Sequence, residues 1–130
     1  MKITVLNKTE VVLYQPKEDA IIIRIGDVYP LNKIFGKYID QTHFYFSDID
    51  EESEYSIQDD ESDKLASFIL KYIDTVDEIV VHCVYAQGRS PAIGYAIATY
   101  LGKDNDYINK YPDINLYVYN KLMNSFLKFS

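Results

Sequence analysis

The chain has 130 residues, 48% of them apolar and 25% charged, which suits a single domain over residues 1–130 with a sizeable core. Its net charge of −7, with no basic stripe along the chain, excludes a nucleic-acid backbone as partner. One cysteine excludes an internal disulfide, no run approaches the about 18 apolar residues of a membrane span, and the first residues lack the apolar core of a signal peptide. A monomeric cytoplasmic protein without a membrane partner is expected, since a lone thiol needed as thiolate suits a reducing compartment.

Taken in order, Ile3 to Leu6 reads as a short strand, and Asn7 with Glu10 as a capping box for a brief helix ending before Pro16. Ala20 to Ile25 is a continuous apolar run suited to a strand covered on both faces. Residues 27 to 40 have no clean period, and Pro30 and Gly36 mark them as a loop. Thr42 to Phe46 is a third strand by its β-branched and aromatic content. The acidic stretch from Glu51 to Asp63 reads as a solvated loop and the outer face of a helix start. Leu65, Phe68, Ile69, Tyr72 and Ile73 then repeat at helical spacing, and Ile79-Val80-Val81 is a fourth strand.

Beyond the fourth strand, Pro91 stands near the start of a helix whose inward stripe is Ile93, Ile97, Tyr100 and Leu101, with Gly102 as its stop. A further helical stretch runs from Asp104 to Tyr111, and Leu116, Tyr119, Leu122, Met123, Phe126 and Leu127 mark the apolar face of the last helix. The expected fold is α/β: a central, mostly parallel sheet of four to five strands covered by helices, with a site at a strand's carboxyl end.

That site is the stretch from Ile79 to Pro91. An apolar strand delivers Cys83 into a short loop, and six positions later Arg89 opens a helix. Loop N–H groups and the first helical turn point at one spot, where the helix dipole favours negative charge. A helix N-terminus also favours thiolate over thiol. Arg89 adds a planar donor fork that matches two phosphate oxygens. A thiolate beneath a bound phosphoryl group is placed to attack phosphorus.

At His82, Cys83, Arg89 and Ser90 the stretch resembles the phosphate-binding loop of the cysteine-dependent protein tyrosine phosphatases: His-Cys, five residues, then Arg-Ser/Thr. Within that superfamily it is most similar to small dual-specificity phosphatases of compact bacterial and phage type, over residues 20–125. The resemblance implies a phosphotyrosine-phosphatase-like fold, a phosphorylated protein or peptide as substrate, and no cofactor or metal. It implies Cys83 as nucleophile, Arg89 and the N–H groups of Val84, Tyr85, Ala86, Gln87, Gly88 and Arg89 as the phosphate cradle, and Ser90 as a donor that helps the thiolate leave. A helix-capping hydroxyl is the other reading of Ser90.

The resemblance further implies a general acid on the loop after the preceding strand. Asp48 and Asp50, 35 and 33 residues before Cys83, both fit, and Asp48 is preferred because it follows the strand through Phe46-Ser47. His82 is expected behind the loop and His43 in a structural or surface role. Asn115 is expected either to bond the loop backbone or to cap the last helix. With two histidines and one cysteine, no metal-ligand spacing appears. Ala86 departs from the family, which usually has Gly at that position, so a phosphate-binding pseudophosphatase without turnover is the alternative.

Overall fold

The computed structural model describes residues 1–103 and 106–130. Its sheet has four strands, β1 (Lys2–Leu6), β2 (Ala20–Gly26), β3 (Asp40–Tyr45) and β4 (Glu78–His82). All pairings are parallel and the order is β1-β4-β2-β3. The register sets Ile3 and Ile21 beside Ile79, and Leu6 and Arg24 beside His82. Because side chains alternate along a strand, this register sorts the residues into two faces.

One face carries Ile21, Ile23, Ile25, Ile79, Val81 and Cys83 into the main core. Three helices cover it: α2 (Asp59–Tyr72), α3 (Arg89–Tyr100) and α5 (Leu116–Phe129). Their periodic residues Leu65, Ile69, Ile93, Ile97, Leu122 and Phe126 are buried in the same cluster. Each fully buried side chain of this size stabilises the fold by about 1.5–3 kcal/mol.

The α/β fold with a parallel sheet flanked by helices is as expected, and the opposite face is covered more lightly. It carries only the four-residue α1 (Glu10–Leu13) and the irregular connection over residues 27–39. Val11 packs there on Ile22 and Val80, with Ile34 and Tyr38 from the connection at the edge of the cluster. A parallel pair needs a crossover of a dozen or so residues, and here an aperiodic segment supplies it in place of a helix.

Local sequence accounts for the element ends. Asn7 Oδ1 accepts from the Glu10 N–H at 2.8 Å while Glu10 Oε1 accepts from the Asn7 N–H at 2.9 Å, the reciprocal pair that starts α1. Asp59, Asp60 and Glu61 fill the first turn of α2, at the positive end of its dipole. Pro91 lies in the first turn of α3, where backbone N–H groups have no partner within the helix. Gly102, with φ +69°, follows the end of that helix. Of the helical stretch expected over 104–111, residues 104 and 105 lie outside the described residues, and α4 spans Tyr107–Lys110. No helix among the described residues is long and apolar enough to cross a membrane.

Candidate active site

β4 lies between β1 and β2, so the loop that leaves it opens at the carboxyl edge of the sheet where the chain's connections diverge, the usual place for a ligand crevice. Two bonds to the end of β1 tie the loop down: the Cys83 N–H donates to the Leu6 carbonyl at 3.3 Å, and the Lys8 N–H to the Val84 carbonyl at 3.2 Å. Cys83 is buried. Its sulfur accepts from the Ala86 N–H at 3.3 Å and lies 3.1 Å from Ser90 Oγ. The loop therefore curls over the sulfur, and the first turn of α3 supplies a hydroxyl beside it. Ser90 does not cap α3, whose N-cap is Gly88. Tyr85 and Gln87 stand exposed on the outer rim, Val84 and Ala86 are half-buried, and Gly88 is buried.

The reversal depends on Ala86, which holds φ +57°. A left-handed conformation costs an L-residue about 1–2 kcal/mol, whereas glycine adopts it freely and loses more entropy on folding. Ala86→Gly is accordingly expected to raise stability by about 0.5–1 kcal/mol, read as a higher urea midpoint at unchanged slope. A lower midpoint would show that the Ala86 conformation carries no strain.

Arg89, the first residue of α3, is 3% exposed. Nη1 donates to Asp27 Oδ1 and to the Phe46 carbonyl, both at 2.7 Å. Nε is buried with no partner among the described residues. The guanidinium is thus held by one nitrogen, which leaves donor capacity on the rest of the fork. Asp27 stands at the carboxyl end of β2 and was not anticipated from the sequence; an acid at the end of a parallel strand adjoining the loop was the available signal.

Asp48 reaches the loop from the segment after β3. Its carboxylate lies so close to Gly88 that a Cβ there would be 2.3 Å from Asp48 Oδ2. A side chain on residue 88 would push the Asp48 carboxylate aside. Asn115 fixes the arrangement from several sides. Its Nδ2 donates to Asp48 Oδ1 at 2.7 Å and to the Ile49 carbonyl at 3.1 Å. Its Oδ1 caps α5 by accepting from the Val118 N–H at 3.1 Å, and its own N–H donates to the Gly88 carbonyl at 3.1 Å. Both expectations for Asn115 therefore hold together, except that its side chain bonds the acid's segment and its backbone bonds the loop. Asp50 is exposed and makes no side-chain hydrogen bond among the described residues.

His82 is buried on the sheet face opposite the main core, where Nε2 accepts from Arg24 Nε at 3.0 Å. Burial and the Arg24 charge, opposed by a contact with the Cys83 backbone, push its pKa down to about 4. The ring is neutral at pH 7, so any influence on the sulfur comes through packing behind the loop and not through charge. His43 is exposed, its ring 5.5 Å from that of Tyr45, in keeping with a surface role. Arg24 was also missed; a charged residue inside an apolar strand that is buried throughout was the signal, because such a charge calls for a partner. Cys83, Arg89, Ser90, Asp48 and Asn115 are gathered around one loop, while His82 lies behind it and Asp50 stands apart. Compared with family models, curated proteins and solved structures, the chain has no match.

Proposed function

We propose that the chain is a cysteine-dependent phosphatase that hydrolyses phosphomonoesters on tyrosine, and on serine and threonine, of proteins or peptides. The observation that carries this reading is the loop closed over one sulfur: an amide and a hydroxyl converge on Cys83 Sγ at 3.3 and 3.1 Å, at the N-terminus of a helix whose first residue is a buried arginine. Such a setting suits a sulfur anion below and phosphoryl oxygens above. The rim supports an aromatic or peptide substrate, since Val28 and Tyr85, which line one cleft beside the loop, are each about three-quarters exposed. A thiol that has to stay reduced also fits a reducing compartment.

In this mechanism the Cys83 thiolate attacks phosphorus, an S–P bond forms and the bond to the ester oxygen breaks. Asp48 gives its proton to the departing oxygen. Water then attacks the cysteinyl phosphate, Asp48 takes a proton from it, and the S–P bond breaks to return the thiolate, with the Ser90 hydroxyl donating to the sulfur. Loop N–H groups and the free part of the Arg89 fork meet the charge that builds on the equatorial oxygens.

Asp48→Asn tests the choice of acid. A poor leaving group such as an alkyl phosphate needs the proton more than p-nitrophenolate does. The variant is expected to lose about 10²-fold in kcat on the former and distinctly less on the latter. Asp50→Asn is expected to change either rate less than twofold. If Asp50→Asn carries the leaving-group dependence instead, Asp48 is not the acid. Tight phosphopeptide binding with no phosphate released by the wild-type chain would contradict the phosphatase reading and leave a binding module.

A further inference from the structure

Arg24 is 8% exposed and has no ion pair among the described residues. Nε donates to His82 Nε2 at 3.0 Å and Nη2 to the Asn32 carbonyl at 2.5 Å, and both acceptors are neutral. Nη1 has no hydrogen-bond partner among the described residues and is not sealed in the interior. The residue lines a cleft of about 330 Å³ that runs from the end of β2 to Val84 and Tyr85 of the phosphate loop. Lys8 lines the same cleft, anchored there by its backbone bond to Val84. The one carboxylate on its wall, Asp27, is bonded to Arg89. A guanidinium withdrawn from water without a counter-charge is costly, so a chain rich in acids that leaves one unpaired beside a cleft has a site for an incoming anion.

We propose that this cleft is a second oxyanion subsite, in which Arg24 Nη1 and Lys8 hold a phosphate or carboxylate of the same substrate whose phosphoryl ester lies over Cys83. The inference rests on the reading of Cys83 and Arg89 given above. Arg24 sits in register with His82, the residue directly before Cys83, on the neighbouring strand. The cleft shares Val84 and Tyr85 with the phosphate loop and Asp27 with the Arg89 fork, so the two anion positions lie on adjoining parts of one surface. Arg24 also orients His82 and the 27–39 connection through its other two nitrogens. A purely structural role, however, leaves Nη1 and the nearby Lys8 without a purpose.

The test measures binding of fluorescent peptides to the Cys83→Ser protein, which does not depend on turnover. Each peptide carries one phosphotyrosine and, one or two places to either side, alanine, glutamate or phosphoserine. A charge-assisted contact predicts about tenfold tighter binding of the phosphoserine or glutamate peptide than of the alanine peptide at one of those places. The two arms separate a phosphate from a carboxylate as the second group. Arg24→Gln and Lys8→Gln, each added to Cys83→Ser, are expected to bring that ratio close to one. Equal affinities in the Cys83→Ser protein, a ratio that survives both added substitutions, or a uniform weakening of all peptides by Arg24→Gln would each overturn the subsite. Absence of binding by every peptide would overturn it too. Failure of the wild-type chain to hydrolyse p-nitrophenyl phosphate, with the ratio intact, would instead remove the phosphatase reading and leave the subsite standing.

Discussion

Cys83→Ser is expected to lower the turnover of p-nitrophenyl phosphate by a factor on the order of 10⁴ or more. A thiolate is a far stronger nucleophile towards phosphorus than a hydroxyl, so a serine in place of Cys83 leaves the first step without its attacking group. The loss belongs to chemistry and not to folding. Cys83 is buried, but the substitution removes little volume, and Ser90 Oγ and the Ala86 N–H remain as partners for a serine oxygen. Circular dichroism and the thermal midpoint should stay near the wild type while kcat falls. Residual activity above a few hundredths of wild type, in a preparation free of contaminating phosphatase, would assign the nucleophile elsewhere.

Arg89→Lys is expected to cost about 10³-fold in kcat/KM, mostly through kcat, because it removes donors that meet the transition-state charge. The two cations are not interchangeable here. Arg89 donates from Nη1 to both Asp27 and the Phe46 carbonyl and still has the rest of its fork to offer. A lysine presents a single nitrogen, and Asp27 and Phe46 would compete with substrate for it. Asp27→Asn keeps the guanidinium and the Phe46 bond, so it is expected to cost much less than Arg89→Lys. A loss for Asp27→Asn equal to that for Arg89→Lys would mean that Asp27 does more than hold the fork.

The contrast between residues read from the sequence and residues missed has a physical origin. Cys83, Arg89 and Ser90 lie within eight residues of one another, and a strand-loop-helix unit fixes their geometry locally. Asp48 and Asn115 were expected through the family resemblance, and they lie just beyond β3 and just before α5. The conformational demand at Ala86 was also visible in advance, and the chain meets it with φ +57°. Asp27, Arg24 and the wall of the cleft were not legible as parts of the site. They belong to the end of β2 and to the connection over 27–39, whose fold has no period and is set by what it packs on. The face opposite the main core is covered all the same, because apolar residues scattered along an irregular segment bury a sheet face as a helical stripe does.

The central claim is that phosphate leaves its ester by way of the sulfur of Cys83. Acid-quenching the enzyme within milliseconds of mixing with an aryl phosphate, followed by peptide mass analysis, measures this directly. The expected result is a phosphoryl adduct on the peptide containing Cys83, formed at the rate of the first phenol burst and absent from Cys83→Ser. Steady release of phosphate with no adduct on Cys83, or with an adduct on any other residue, would contradict the account.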